Sequence, residues 1–247
     1  EAGLSIGMLS ALIQAGALQG FAQSRSKVVL EAQLWNLLTK REKRYVIPLA
    51  EDFNYDLVKI MKHLCEFKDE KNKVVIKESR FETIKKKYEP YKAIYMQNNK
   101  SESFANWYYE NHLLGYTYGK TLKDIFSEKY MGLDDISQIE DHPVDSRITT
   151  IATITDSYKG ISKNKNKYIR FELSDETGNF RAMIVNNKRD KTKVEDCESL
   201  NNGVPQKGSI VFVKGTKKED IIFADVIADQ SQKVYTKLSE LKMNKSS

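Results

Sequence analysis

The sequence predicts an α+β fold in which a mainly helical N-terminal half is followed by a five-stranded β-barrel. Through the first half, apolar residues recur three and four positions apart, which is the spacing of an amphipathic helix. From Ile148 onward, β-branched and polar residues alternate, as they do in strands with one buried face. His142-Pro143 separates the two patterns, because the residue before a proline disfavours helical backbone angles.

A helical hairpin is predicted at the start of the chain. Apolar residues from Leu4 to Ile13 are spaced for one helix, and residues 28–38 carry a second helical pattern after a turn around Gly20. Further helices are predicted at 52–64, 81–88, 104–114 and 122–126, a short strand or extended piece at 73–77, and a loop at 98–101.

Five strands are predicted in the second half, at about 148–156, 167–174, 179–185, 209–214 and 221–228. A tight turn at 175–178 joins the second and third strands, whereas a long connection at 186–207 separates the third and fourth. This layout is that of an OB barrel, in which we expect a helix or an irregular loop between strands three and four. The predicted domains are a helix-hairpin-helix-like segment at 1–45, a helical linker domain at 46–146, an OB-fold domain at 147–230 and a basic tail at 231–247.

The charge distribution favours a polyanionic partner for the second half. Residues 1–146 carry 21 basic and 21 acidic residues, so the net charge of +6 lies entirely in residues 147–247. Cys65 and Cys197 have no zinc-site spacing, which predicts a reducing, cytoplasmic location. The nearly uncharged stretch 3–18 is too short to span a membrane, and a chain that opens on Glu1 is expected to be part of a longer polypeptide.

No catalytic residue, metal site or cofactor is predicted. The sequence has no phosphate-binding Gly-rich loop and no GxSxG or HExxH motif. The three histidines are scattered, and His63 with Cys65, two positions apart on a helix, do not face each other. Asp134-Asp135 is interpreted as a turn or a helix start. Binding is therefore the expected chemistry.

Alternation along the second and third strands separates a core side from an outer side. The residues predicted to face the core are Ile169, Phe171, Leu173, Phe180, Ala182 and Ile184. OB domains bind oligonucleotides on the outer side of these strands, where aromatic rings stack on bases and basic groups meet phosphates. The predicted nucleic-acid-binding residues are Tyr158, Lys163, Lys165, Lys167, Tyr168, Arg170 and Arg181. The alternative is that they are ordinary solvated strand residues.

Two segments of the barrel resemble a known family. IATITDSYKG (151–160) and KYIRFELSDETGNFRAMIV (167–185) resemble the OB domain near the C-terminus of bacterial C-family replicative DNA polymerases, the DNA polymerase III α subunit. Thr153 stands where that family has a glycine, and the same pattern occurs in anticodon-binding OB domains of class II aminoacyl-tRNA synthetases. The matching residues are Ile151, Ala152, Ile154, Lys159, Tyr168, Leu173, Asp175 and Gly178.

Two N-terminal segments favour the polymerase. LSALIQAGALQGF…SRSKVVLEA (9–32) resembles the end of the family's helix-hairpin-helix region, and ENHLLG (110–115) resembles the helix that leads to its OB domain. This order disfavours a synthetase, whose OB domain would precede a catalytic domain. The poor match of residues 40–105 is typical of a distant bacterial or phage member.

The resemblance implies a DNA-binding C-terminal part of a replicative polymerase, without the catalytic palm. The implied partners are the single-stranded template, the duplex backbone, the rest of the polymerase, and a sliding clamp or other replisome proteins. Backbone N–H groups at 15–18 would face a duplex phosphate. The strings at 33–38 and 122–126 are the nearest to a clamp-binding peptide, but we interpret both as core.

A protein-interaction module is the alternative function. Residues 1–146 have no net charge and contain several aromatic residues between Trp107 and Tyr118, which would dock a protein while the barrel serves as a scaffold. Under the polymerase hypothesis, replacing Arg170 and Arg181 by alanine weakens single-strand binding and lowers its salt slope by about 0.7 per lost phosphate contact.

Overall fold

Helices dominate the first part of the chain and a closed β-barrel the second, which confirms the predicted α+β class. The computed structural model describes residues 3–18 and 24–235. It divides into a helical unit, Glu1–Gly115 with Lys233–Ser247, and a barrel unit, Tyr116–Gln232. The predicted turn at Gly20 and most of the predicted tail lie outside the described residues.

The helical unit is built from helices whose starts are marked by polar caps. Ser5, Ser24, Thr39 and Asp56 each accept a hydrogen bond from the backbone N–H three residues on, and so satisfy a donor that the first turn leaves free. The helices are α1 (Ile6–Gln14), α2 (Arg25–Leu37), α3 (Lys40–Val46), α4 (Leu57–Glu66), α5 (Glu78–Asn99) and α6 (Glu102–Leu114).

Two predicted segments of this unit have different bounds in the structure. The helix predicted at 52–64 begins only at Leu57, because Asn54 and Tyr55 have positive φ angles of 48° and 58° and form a turn. The helix predicted at 81–88 is part of the longer α5, which continues into the loop predicted at 98–101. Of the extended piece predicted at 73–77, Val74 makes an isolated bridge with Lys68, whereas Val75 and Ile76 form a bend.

The backbone after α1 is not free to bind a phosphate, contrary to expectation. The N–H groups of Ala15, Gly16 and Ala17 donate to the carbonyls of Ala11, Ile13 and Leu12, at 2.8, 2.9 and 2.9 Å. These bonds satisfy the carbonyls at the end of a helix, as C-terminal caps do. The segment is therefore a helix C-terminus in which three of the four predicted donors are already used.

Both strings that resemble a clamp-binding peptide contribute to cores. In the first string, Leu34 and Leu38 are buried in the core of the helical unit. The second string coincides with the helix α7 (Leu122–Phe126), in which Leu122 and Phe126 are buried. These four buried side chains are thus unavailable for a partner in this conformation.

The barrel unit forms a closed five-stranded barrel in the order β1-β2-β3-β5-β4. All neighbouring strands are antiparallel except β3 and β5, and a helix connects β3 to β4, which is the arrangement of an OB fold. After α7, its elements are α8 (Ile136–Asp141), β1 (Arg147–Ile161), β2 (Lys167–Ser174), β3 (Asn179–Val185), α9 (Lys193–Leu200), β4 (Ile210–Lys218) and β5 (Ile221–Asp229).

The barrel core is closed by a short helix at each end. Ile136 and Ile139 of α8 are fully buried in the same cluster as the strand residues. Val194 and Cys197 of α9 belong to that cluster too, with at most 5% of their surface exposed. Burying such side chains stabilises the fold by about 1.5–3 kcal/mol each. The helix between strands three and four therefore contributes to the core, as the OB layout predicts.

No helix within residues 3–18 and 24–235 is long and apolar enough to cross a membrane. Both cysteines are free thiols, and burial raises the pKa of Cys197 to about 11. Cys197 therefore remains protonated and behaves as a small apolar residue of the barrel core.

Candidate nucleic-acid interface

One side of the barrel surface is covered by the chain that precedes β1. Helix α7 packs against β1, and the ring of Tyr130 stacks on Phe212 of β4 with 4.1 Å between ring centroids. Leu133 is buried, and Asp134 forms a bridge with Thr150 of β1. The outer side formed by the second half of β1 with β2 and β3 carries the exposed residues, and we call it the open side.

The predicted alternation of β2 and β3 is confirmed. Ile169, Phe171 and Leu173 of β2 and Ala182 and Ile184 of β3 have at most 1% of their surface exposed. Phe180 is partly buried and packs against the same cluster. The residues between them consequently face the open side.

A bulge in β1 decides which of its residues join the open side. The register with β2 shifts between Ile154 and Asp156, after which Tyr158 lies opposite Arg170 and Gly160 opposite Tyr168. Three rows of residues therefore cross the open side: Tyr158–Arg170–Met183–Phe223, Gly160–Tyr168–Val185 and Asp156–Glu172–Arg181–Ile221.

The two predicted tyrosines converge over a glycine. The ring centroids of Tyr158 and Tyr168 are 6.1 Å apart and the rings are tilted by 49°. A Cβ atom on Gly160 would lie 2.8 Å from the Tyr158 ring and 2.9 Å from the Tyr168 ring. Because Gly160 has no side chain, the rings can approach each other above the strand. Tyr158 is 53% exposed, so the tyrosine pair offers an aromatic surface to solvent.

Arg170 and Arg181 lie on the open side as predicted, but each pairs with a carboxylate. Arg170 Nε lies 3.5 Å from Glu172 Oε1, and Arg181 pairs with Asp220 between β4 and β5. Exposed pairs of this kind are worth about 0–1 kcal/mol. A phosphate that binds either guanidinium must still compete with the carboxylate, so each arginine is a weaker phosphate ligand than a free cation.

Lys167 is held by α9. Its Nζ lies 2.6 Å from Glu195 Oε1, and Asn186 Nδ2 donates to Glu195 Oε2 at 2.8 Å. The hydrogen bond from Lys167, with that from Asn186, lowers the pKa of Glu195 to about 2, and the same contact raises the pKa of Lys167. Lys167 thus connects β2 to α9.

Lys163 and Lys165 lie in the turn between β1 and β2, residues 162–166, which we call the hairpin tip. Ser162 N donates to Asn166 O at 2.8 Å and Lys165 N to Ser162 O at 2.9 Å, and Lys165 has a φ of 60°. Both lysines are exposed, and neither forms an ion pair in the part of the chain that the structure describes. They are the free cations of the predicted site.

The structure adds residues that sequence reasoning did not assign to the site. Lys188, Arg189 and Lys191 are exposed in the β3–α9 loop, residues 186–192. Val185, at the end of β3, pairs with Tyr168, so this loop begins beside the tyrosine pair. The sequence could have predicted this adjacency, because an antiparallel β2–β3 hairpin places the end of β3 beside the start of β2. Met183 lies on the open side by the same alternation as Arg181, whereas Phe223 joins it through the β3–β5 pairing.

The positive net charge does not lie in the barrel unit. Residues 116–232 contain 18 Lys+Arg and 19 Asp+Glu, a net charge of −1, so the rest of the chain carries +7. Counting charges on either side of residue 146 does not show this balance, because the acidic segment 116–146 belongs to the barrel unit. Phosphate binding by this unit must therefore depend on the local arrangement of charges.

The described residues contain no group of three or more His, Cys, Asp or Glu side chains that could hold a metal ion. Each histidine has a local neighbour: the His63 ring lies 5.2 Å from that of Phe53, His112 stacks on Tyr108, and His142 Nε2 lies 3.2 Å from Asp134 Oδ1.

Comparison with known proteins yields similar solved structures but no family. No family model and no curated protein matches the chain. The aspartyl-tRNA synthetase of Entamoeba histolytica is 16% identical, with a TM-score of 0.31, over 44% of this chain and 23% of that one. The protein PriB of Ralstonia solanacearum is 10% identical, with a TM-score of 0.25, over 36% and 100%. The mitochondrial single-stranded DNA-binding protein Rim1 of S. cerevisiae is 13% identical, with a TM-score of 0.27, over 37% and 100%.

Proposed function

We propose that the barrel unit binds single-stranded nucleic acid on its open side. The observation that carries the proposal is the tyrosine pair, which converges over Gly160 next to the free cations of the hairpin tip. Stacking of a base on an aromatic ring is worth about 1–3 kcal/mol and tolerates any sequence. Lys163 and Lys165 then supply charge for the phosphates that flank a stacked base.

The finer proposal is that the bound strand is the template of a C-family replicative DNA polymerase, whose chemistry takes place elsewhere. The support is the motif resemblance at 151–160, 167–185 and 9–32. The remaining chain of such a polymerase, and a sliding clamp or other replisome proteins, are the partners that this proposal implies. The backbone donors at Ala15–Ala17 take no part in it, because they are bonded within the chain.

The test is fluorescence anisotropy of a labelled single-stranded DNA across a salt series, with the full chain and its variants. We expect Tyr158→Ala and Tyr168→Ala each to weaken binding by at least about fivefold, because each removes a stacking surface. Tyr116→Ala is the matched control, since it removes another exposed tyrosine of the barrel unit. Tyr168→Phe keeps the ring and should keep the affinity.

Two further outcomes separate the proposal of single-strand binding from the proposal that the strand is a polymerase template. A competitor duplex with a single-stranded 5′ overhang should displace the probe better than a duplex with a 3′ overhang of the same length if the strand is a template. Equal displacement would contradict the polymerase proposal and leave single-strand binding intact. An absence of binding by the unmodified chain at low salt would refute both and favour the protein-interaction alternative.

A further inference from the structure

The free positive charge of the open side is concentrated at the end where α9 closes the barrel. The hairpin tip contributes Lys163 and Lys165, and the β3–α9 loop contributes Lys188, Arg189 and Lys191. None of these five forms an ion pair with any residue in the ranges 3–18 and 24–235. The two segments are adjacent, since Asn186 N donates to Lys167 O at 2.9 Å where the hairpin tip ends.

The β3–α9 loop has a defined conformation that keeps its basic side chains at the surface. Asn187 Oδ1 accepts hydrogen bonds from Arg189 N and Asp190 N, both at 2.9 Å, and Asn187 N donates to Asp190 O at 2.8 Å. Such an Asx turn orders the backbone without using the basic side chains. The loop therefore presents its cations on a backbone that is ordered before a ligand arrives, which lowers the entropic cost of binding.

The opposite end of the open side offers no unpaired cation among the described residues. Glu219 and Asp220 form the β4–β5 turn, and the positively charged side chains around it are occupied. Lys217 is buried and donates to the carbonyls of Glu140 and His142, both at 2.6 Å. Lys218 pairs with Asp145 and Arg181 with Asp220, whereas Glu219 is exposed and has no ion pair among the described residues.

From this asymmetry we infer a one-ended path for the nucleic acid. The strand stacks on the tyrosine pair, its phosphates lie on the hairpin tip and the β3–α9 loop, and it does not continue across the open side to the β4–β5 turn. Phosphates at that turn would meet carboxylates and no free cation, which is unfavourable at short range. The site therefore takes a short stretch or an end of a single strand, and the β3–α9 loop is a phosphate-binding segment. This inference rests on the proposed single-strand binding.

The first measurement is the dependence of affinity on oligonucleotide length. Labelled oligothymidylates from about 4 to about 16 nucleotides span the site sizes known for OB folds. If the path is one-ended, affinity should stop rising near the short end of this series. The only further increase should come from the larger number of equivalent binding positions on a longer strand. A steep rise through the whole series would overturn the inference, because it would require contacts across the open side.

The second measurement uses charge variants of the full chain. Lys188→Ala with Arg189→Ala should weaken binding and lower the salt slope by about 1.4, the value for two lost phosphate contacts. Lys207→Ala with Lys214→Ala is the matched control, because it removes the same charge from exposed positions of the barrel unit outside the open side. Glu219→Lys should strengthen binding of long but not of short oligonucleotides, because it places a cation where the acidic turn stops the strand.

The failures of the two proposals are distinguishable. If the loop variant matches its control while Tyr158→Ala and Tyr168→Ala abolish binding, the one-ended path is wrong and the stacking site stands. If neither the unmodified chain nor any variant binds an oligonucleotide of any length, the proposed function itself fails. Circular dichroism spectra of all variants should match, since every substituted charge is exposed.

Discussion

At the scale of single residues, Gly160 determines the shape of the stacking surface. A Cβ atom at this position would meet ring atoms of Tyr158 and Tyr168 at 2.8 and 2.9 Å, closer than non-bonded carbon atoms approach. Both rings lie at the surface and can move aside, so Gly160→Ala is expected to separate them without disturbing the core. The free energy of unfolding should change by less than about 1 kcal/mol.

The consequence for binding is measurable. We expect Gly160→Ala to weaken single-strand binding by at least about fivefold in the anisotropy titration while thermal unfolding stays nearly unchanged. Gly7→Ala, at an open position on α1, is the control. If the alanine variant at Gly160 binds like the unmodified chain, convergence of the two rings is not needed for binding.

The sequence predicts the side of the barrel to which most site residues belong, but not their partners. Alternation along β2 and β3 is sufficient for Tyr168, Arg170 and Arg181, because a regular strand has a period of two. The orientation of Tyr158 depends on the bulge between Ile154 and Asp156, which no local pattern reveals. The carboxylates that hold Arg181 and Lys167 come from β4–β5 and α9, so those pairs follow only from the tertiary structure.

At the scale of elements, the regular strands and the short helix α7 are predictable, whereas the helix α8 is not. β2 and β3 have the predicted bounds because a tight turn joins two alternating strands. β1 and β4 extend beyond their predicted ends, to Ile161 and Lys218, because the added residues pair with a neighbouring strand although their composition does not predict one. Helices as short as α8 are marginal by local propensity and form through tertiary contacts. The Asp134-Asp135 prediction identifies only its start, since Asp135 is the N-cap of α8.

Helix α8 is held by the turn between β2 and β3, which explains part of the resembling motif. Asp175 Oδ2 accepts from Ile136 N at 2.8 Å, while Asp175 Oδ1 accepts from Thr177 N at 2.7 Å and from Gly178 N at 3.0 Å. The carboxylate thus orders its own turn and also satisfies a donor at the start of α8. At its other end, α8 is held by Lys217 through the carbonyl of Glu140.

Loss of this carboxylate should therefore destabilise the barrel unit. We expect Asp175→Ala to lower the free energy of unfolding by about 2 kcal/mol, because a helix cap and charged hydrogen bonds are lost together. Urea unfolding followed by circular dichroism measures the change. Glu128→Ala removes an exposed carboxylate that has no ion pair in the described chain, and should change stability by less than about 0.5 kcal/mol. Equal effects of the two substitutions would contradict the capping role.

At the scale of the whole molecule, the proposed binding site and the positive net charge lie in different parts of the chain. The barrel unit holds the tyrosine pair, the hairpin tip and the β3–α9 loop, yet its 18 basic and 19 acidic residues nearly cancel. Long-range attraction of a polyanion by this unit is consequently weak, and its binding depends on contacts at short range. The sequence alone does not reveal this, because the boundary of the unit depends on how α7 and α8 pack.

The core of the barrel unit is complete within residues 116–232, since every member of its buried cluster lies there. A fragment of these residues is therefore expected to fold by itself and to unfold in one cooperative transition with an enthalpy of about 80 kcal/mol. Because all proposed site residues are included, it should bind the labelled single strand within a factor of about two of the full chain. Calorimetry and the anisotropy titration measure the two quantities. A folded fragment that binds much more weakly would show that the helical unit supplies essential contacts, whereas an unfolded fragment would show that the barrel needs the rest of the chain to form.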